Sequence, residues 1–182
     1  MSITTTTANK EFSRFEQDRT YEVIYAYMYG YGKLEGTYWL EEWSLPYKNS
    51  SVDMLNVLNI SYLDTPPYRG DDNIKTDALF SEADLNAMKE LCIHLPGRYR
   101  WNKSKLSILG IPTGDSVVPR TPETISQIHV RVCPPLFTID NEKAILYAEF
   151  YSEGAGGAGN VLLYVKKNNE WILVRTLNVW VS

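Results

Sequence analysis

A run of glycines between two apolar segments is the first stretch of this sequence that could do chemistry. Gly154 to Gly159 matches the GxGxxG pattern of dinucleotide-binding proteins, in which the glycine turn opens a helix whose N-terminus holds a pyrophosphate. Here the following residues, Val161 to Val165, have the β-branched and aromatic character of a strand. The sequence therefore predicts a hairpin loop at the glycines, no nucleotide site and no cofactor.

A second stretch with catalytic residue types is Gly114-Asp115-Ser116, which resembles the nucleophile block of the GDS-type esterases. Those enzymes place their base in an Asp-x-x-His sequence. The residues three positions before the two histidines of this chain are Leu91 and Ser126. The GxSxG pattern of other serine hydrolases does not occur either. We therefore interpret the tripeptide as part of a turn.

The cysteines and histidines are the residues that could bind zinc: Cys92, His94, His129 and Cys133. Zinc sites usually take their ligands as close pairs that flank short loops, and these spacings do not fit that pattern. We predict no metal ion, with Cys92 on the inner face of a helix. The sequence starts without an export signal, so both thiols are expected to be reduced.

The charges divide unevenly along the chain, whose formal net charge is −4. The first 90 residues contain 15 acids and 8 bases, and the rest contain 7 acids and 10 bases. An acidic half can steer a basic protein partner and repel nucleic acid, although a solvated acidic surface explains the same imbalance. The candidate partner-binding residues are acids flanked by tryptophans or placed in a polar loop: Trp39, Glu41, Glu42, Trp43, Asp71 and Asp72.

The segment from Arg98 to Lys105 interleaves four bases with Tyr99 and Trp101, a pattern typical of proteins that hold single-stranded nucleic acid. The acidic chain as a whole argues against such binding. Contact between this segment and the acidic half of the chain is the alternative. No nucleic acid partner is predicted.

Tyrosine and tryptophan are unusually frequent, at 13 and 5 residues, and are densest between Tyr21 and Tyr47. Both types combine a large apolar ring with a polar atom, so they are enriched in binding surfaces and pockets as well as in cores. Among the carboxylates, Glu149 interrupts an apolar strand. A role in acid–base chemistry is one explanation, and a charge on an edge strand that prevents aggregation explains it as well.

The elements that must position these residues form one α+β domain over residues 10–182, after a polar, disordered segment 1–9. An amphipathic helix is predicted from the start of the domain to about Tyr29, with a strand and hairpin over the tyrosine-rich stretch as the alternative. A central helix starts with a capping box at Ser81 and Asp84. Its buried stripe is predicted to be Leu85, Met88, Leu91 and Cys92.

Between and after these helices the patterns are shorter. Residues 37–40 are the second strand of the alternative hairpin. The second half of 54–63 predicts a strand, residues 65–73 predict a loop, and residues 99–111 predict an extended segment. Residues 128–132 alternate in a way that predicts a strand with one exposed face.

The C-terminal part, from Ala144 onward, has three apolar runs separated by glycines and asparagines. They predict an antiparallel meander that forms the core of a largely antiparallel sheet packed by the two helices. The last run is apolar on both faces, which predicts a central strand with Trp171 buried. Its alternation assigns Trp171, Leu173 and Leu177 to one face, and Ile172, Val174 and Trp180 to the other.

The capped helix at Ser81, the entry Pro135-Leu136-Phe137, the glycine loop and the Lys-Asn-x-x-Trp turn at 167–171 follow one another in the C-terminal half. In this order they resemble uncharacterised bacterial proteins, many of them predicted lipoproteins. The resemblance implies an α+β fold and no catalytic residues.

The sequence as a whole predicts a cytosolic, non-enzymatic binding protein. No apolar segment is long enough to span a membrane. An immunity protein that neutralises a toxin is the most concrete form of this hypothesis. The alternative is a small-molecule-binding or hydrolytic domain whose pocket is lined by tyrosines.

Overall fold

The computed structural model describes residues 17–31, 37–47, 53–63, 68–70, 79–94, 97–114, 127–152 and 156–181. Its helices are α1 (Asp18–Ala26), which continues into a π-helical turn (Tyr27–Tyr31), α2 (Met54–Val57), α3 (Ile60–Leu63), α4 (Glu82–His94) and α5 (Lys103–Ile108). Its strands are β1 (Thr37–Glu41), β2 (Tyr68–Gly70), β3 (Thr113–Gly114), β4 (Gln127–Val132), β5 (Leu136–Phe137), β6 (Lys143–Ser152), β7 (Gly156–Lys167) and β8 (Glu170–Val181).

One mixed sheet contains all the described strands, in the order β2-β8-β7-β6-β4-β1-β3, with β5 paired to β6. Strands β6, β7 and β8 are successive antiparallel neighbours, which confirms the predicted meander and the α+β class. Strand β1 instead runs parallel to both β4 and β3. The N-terminal half of the chain therefore joins the sheet through β4.

Helix α1 covers one face of the sheet. Trp171 and Lys166 are cross-strand partners on β8 and β7, so their side chains share a face. Both donate to the Oε2 atom of Glu22 on α1, from Nε1 at 3.1 Å and from Nζ at 3.4 Å. Trp171 is 8% exposed, which confirms its predicted burial.

Helix α3 contacts the opposite face through Leu63. It packs against α2, and α2 packs in turn against α4. Buried Arg175 on β8 donates from Nη1 to the carbonyl of Leu63, the last residue of α3, at 3.1 Å. Arg175 reaches this face because β8 bulges. Leu173 pairs with Tyr164 and Arg175 with Leu163, so one extra residue stands between the two pairs. The predicted placement of Trp171 and Leu177 on the same face is therefore wrong.

The two predicted helices are confirmed where the structure describes them. The tyrosine-rich stretch is helical rather than a strand, and the predicted beginning of that helix, like residues 1–9, lies outside the described residues. At α4 the backbone N–H of Ser81 donates to Asp84 Oδ2 at 3.1 Å, and the N–H of Asp84 donates to Ser81 Oγ at 3.1 Å. This reciprocal pair is the predicted capping box.

Three short segments differ from the prediction. The second half of 54–63 is helix α3 rather than a strand, because Asn59 Oδ1 accepts from the N–H of Ser61 at 2.9 Å and begins a helical turn. Asn102 caps α5 in the predicted extended segment by accepting from the N–H of Lys105 at 3.2 Å. Residues 68–70, predicted to be loop, pair with β8.

Candidate functional site

The residues predicted to bind a partner occupy different environments. Glu41 and Glu42 are only 5% and 7% exposed, so neither carboxylate is freely available to a partner at the surface. Trp43 is 43% exposed and Trp39 is partly buried. The other two candidates, Asp71 and Asp72, lie outside the described residues.

Glu42 is held by two cations of the basic segment. Its Oε2 atom accepts from Arg100 Nη2 at 3.1 Å, and its Oε1 atom forms an ion pair with Lys103 Nζ. The side chains of Arg100 and Lys103 are more than half exposed. Farther along, Lys105 pairs with Asp18 at 3.0 Å. The basic segment therefore contacts acids of the N-terminal half, and the charges exposed beside Trp43 are positive.

The ion pairs of Glu42 make a pH-dependent contribution to stability. The hydrogen bond from Lys103 holds the pKa of Glu42 below its ordinary 4.5, outweighing desolvation, and Arg100 adds to the effect. A carboxyl whose pKa is lower in the folded chain stabilises the fold above its unfolded pKa, and this contribution is lost as the pH falls through the folded pKa. We expect Glu42→Gln to be less stable than wild type at pH 7, with the gap closing below pH 4.5. Urea unfolding across this range measures it, and a constant gap would contradict the assignment.

Glu41 and Trp39 belong instead to a group of polar and aromatic side chains on the sheet. In the register of the sheet, Trp39 lies beside His129, and His129 lies beside Tyr151. We call this group the sheet-face cluster: Trp39, Glu41, His129, Arg131, Tyr147, Glu149, Tyr151 and Trp180. All of these residues lie on the face that also carries Arg175, because cross-strand partners and alternate residues of a strand share a face.

Glu149 is the most deeply buried charge of the cluster, at 1% exposure. Its Oε1 atom accepts from the hydroxyl of Tyr147 at 2.7 Å, and its Oε2 atom from Arg131 Nη2 at 2.7 Å. The Nε1 atom of Trp180 donates to the Tyr147 hydroxyl at 3.0 Å. Burial and the hydrogen bond to Glu149 raise the pKa of Tyr147, so its proton stays on the oxygen as a donor. The edge-strand explanation of Glu149 is wrong, because β6 lies between β4 and β7.

Tyr151 connects this ion pair to Glu41. Its hydroxyl donates to Glu41 Oε1, and burial together with this bond raises its pKa. The His129 ring stacks on the Tyr151 ring at a centroid distance of 5.1 Å and an angle of 11°. His129 is 6% exposed, so the predicted exposed face of β4 is covered at this position. Hydrogen bonds and ring stacking join the cluster across β1, β4, β6 and β8, and Trp39 lies beside His129 in the strand register.

Two glycines of the GxGxxG pattern, Gly157 and Gly159, lie directly against the ring of Trp180. Gly156 to Gly159 are part of β7 and pair with β6, so the predicted hairpin loop is wrong for these four residues. A Cβ atom on Gly159 would lie 2.2 Å from Trp180 Nε1 and 2.7 Å from the Tyr147 hydroxyl. Glycine is required here because the indole lies directly on the strand.

The described residues form one cavity beside α4 and another beside α5. The larger, about 630 Å³, lies between α1, α4 and the β5–β6 turn, with Leu91, Phe137 and Ile139 on its walls. The smaller, about 350 Å³, is open and has Trp39 on one wall and Ser107 of α5 on another. Trp39 therefore borders both the sheet-face cluster and the smaller cavity.

The remaining candidate ligands are dispersed. Cys92 and Cys133 are buried free thiols, and burial raises the pKa of Cys133. Exposed His94 pairs with Glu90 at 3.4 Å near the end of α4. Within the described residues, no group of three or more histidines, cysteines and acids could hold a metal ion. In the tripeptide Gly114-Asp115-Ser116, only Gly114 is described, at the end of β3.

Comparison with known proteins identified no relative: no family model, no curated protein and no solved structure matches this sequence. The resemblance of the C-terminal half to bacterial lipoprotein-like sequences stays a prediction. None of the helices described is long and apolar enough to cross a membrane.

Proposed function

We propose that this chain is a non-enzymatic binding protein that recognises another protein through the surface along helix α5. The residues of this α5 surface are Tyr25, Tyr29, Trp43, Arg100, Lys103 and Ile108. All six are exposed. Tryptophan, tyrosine and arginine are the residue types that most often dominate the binding energy of protein interfaces.

The observation that supports this proposal is that the exposed rings are held in place. At one end of α5, Trp43 forms a β-bridge with Arg100, whose guanidinium carbon lies 5.8 Å from the indole centroid. At the other end, the Tyr29 hydroxyl donates to the carbonyl of Gly110 at 2.8 Å, and the Tyr25 ring lies 4.6 Å from the Tyr29 ring. Rings that are already ordered lose little entropy on binding.

The two ends of α5 are close enough for one partner to contact both. A helix of six residues is about 9 Å long, which is well within the width of a standard protein interface. The exposed charges are those of Arg100 and Lys103, so the matching partner surface is neutral or acidic rather than basic. We propose a toxin as the partner, because occluding a toxin requires a preordered surface and no chemistry from the binder.

A truncation of Trp43 tests the α5 surface. The partner to try first is the product of the gene adjacent to the one encoding this chain, co-expressed in cells whose growth is followed. We expect the wild-type chain to bind that product and restore growth, and Trp43→Ala to weaken binding by about 30-fold, the loss of a hot-spot contact of about 2 kcal/mol. Surface plasmon resonance measures the affinity.

Ile139→Ala is the matched control. Ile139 is a large exposed apolar residue in the β5–β6 turn and is not one of the residues of the α5 surface, so its truncation should leave affinity unchanged. Equal affinities for Trp43→Ala, Tyr29→Ala and Ile139→Ala would place the binding surface elsewhere. A neighbouring product that is neither toxic nor bound would remove the toxin from the proposal.

A further inference from the structure

We infer that Glu41 is the anionic group of a second binding site, one that takes an organic cation bearing an ammonium or guanidinium group. The site lies at the end of the sheet-face cluster formed by Trp39, Glu41 and His129. It uses different side chains from the α5 surface.

Glu41 and Glu42 differ in the cations that surround them, and this difference is the basis of the inference. The two carboxylates are adjacent in sequence and almost equally buried, at 5% and 7% exposure. Glu42 is paired with two cations, Arg100 and Lys103. In the described part of the chain, Glu41 has no ion pair, and its one hydrogen bond comes from the neutral hydroxyl of Tyr151. A buried carboxylate without a cation is costly, and a cationic ligand would remove that cost.

The nearest cation of the cluster does not fill this role. Arg131 is bound to Glu149 at 2.7 Å through Nη2 and lies over the Tyr151 ring, with its guanidinium carbon 5.2 Å from the centroid. The charges of Arg131 and Glu149 compensate each other. Among the described residues of the cluster, Glu41 is therefore the one whose charge no other residue compensates.

Other polar groups beside Glu41 also have unused hydrogen-bonding capacity. The Nε1 atom of Trp39 is buried and has no hydrogen-bond partner among the described residues. The side chain of His129 is 6% exposed, and its one contact within the described ranges is the stacking on Tyr151. The Trp39 N–H can only donate, so it would bind an acceptor atom of the ligand rather than its cationic group.

The aromatic rings define the kind of cation. Trp39, His129 and Tyr151 lie side by side across β1, β4 and β6, in the row of the sheet next to Glu41. Tyr151 is already covered by His129 and Arg131, so Trp39 is the ring that favours an organic cation beside the carboxylate, because its face attracts the charge and covers the carbon atoms. Trp39 also lines an open cavity of about 350 Å³, whose other walls include Ser107 and Lys103, the latter paired with Glu42.

Methylguanidinium and methylurea distinguish charge from shape, because they have nearly the same size and differ in charge. We expect methylguanidinium chloride, at constant ionic strength, to shift the NMR signals of the Trp39 indole N–H and the His129 ring with a Kd of about 1 mM, as suits a ligand of few atoms. Methylurea should produce no saturable shift. Equal shifts from both compounds, or no saturation by methylguanidinium at about 20 mM, would overturn the inference.

Glu41→Gln should weaken methylguanidinium binding at least about tenfold, because the amide keeps the shape and removes the charge. Glu42→Gln is the matched control and should bind like wild type. Unchanged affinity in a folded Glu41→Gln variant would overturn the inference. If this variant does not fold, Trp39→Leu replaces it and should also weaken binding, with an unchanged Kd as the contrary result.

N-acetyl-arginine amide separates two sources of the cation. Tighter binding than methylguanidinium would identify the arginine side chain of a protein as the natural ligand. Binding of methylguanidinium alone would identify a free small molecule. Both results support a cation site at Glu41.

Discussion

Replacing Arg131 with methionine is expected to lower the free energy of unfolding by about 3–5 kcal/mol, because it leaves the carboxylate of Glu149 buried without its cation. Glu149 is 1% exposed and therefore gains little compensation from water. Methionine keeps much of the length and apolar surface of the arginine side chain. Urea unfolding at neutral pH measures the loss.

The control for this experiment is the double variant Arg131→Met/Glu149→Gln. The glutamine carbonyl still accepts from the hydroxyl of Tyr147, which donates to Glu149 at 2.7 Å, but no charge remains buried. We expect the double variant to recover most of the lost stability, to within about 1–2 kcal/mol of wild type. A double variant as unstable as Arg131→Met would show that lost packing, rather than the unpaired charge, causes the effect.

Gly159→Ala is expected to cost about 3 kcal/mol although it adds a single carbon atom. That atom would lie 2.2 Å from Trp180 Nε1, a distance that no side-chain contact tolerates, so the indole must move away from the strand. Moving it breaks the 3.0 Å hydrogen bond to Tyr147. Thermal unfolding gives the loss, and a red shift in tryptophan emission reports the displaced ring.

Gly30→Ala is the matched control, because a Cβ atom at Gly30 meets nothing within 4 Å. It should melt within a few degrees of wild type, as exposed substitutions usually do. The double variant Gly159→Ala/Trp180→Leu should tolerate the alanine better than the single variant does, since the clashing ring is gone. Equal melting temperatures for Gly159→Ala and Gly30→Ala would show that Trp180 does not lie against β7.

The larger elements of this fold could be predicted because their signals are local. Apolar runs bounded by glycine and asparagine define the meander, and the capping box of Ser81 and Asp84 marks the start of α4. Helices α2, α3 and α5 have four to six residues, too few for helical periodicity to show. The caps of these helices, such as Asn59 and Asn102, were the available signal.

The sheet-face cluster could not be predicted as a unit because it depends on strand register. Tyr147, Glu149 and Tyr151 alternate on β6, and His129 and Arg131 alternate on β4, so each strand shows one polar face. Nothing local indicates that β1 lies parallel to β4. Glu41 was therefore predicted as a partner-binding acid from its flanking tryptophans alone, whereas the hydrogen bond from Tyr151 places it in the cluster.

The parallel pairing of β1 with β4 also affects how the chain folds during synthesis. About 85 residues separate the end of β1 from the start of β4, so at about 5–20 residues per second the ribosome takes about 4–17 s to supply that partner. Until then, β1 has only the two residues of β3 to pair with among the described strands. The face of α1 that packs on β8 stays uncovered longer still, because β8 is the last of the described strands to be synthesised. The nascent chain should therefore be a substrate for chaperones that bind exposed apolar segments until the final strand is released.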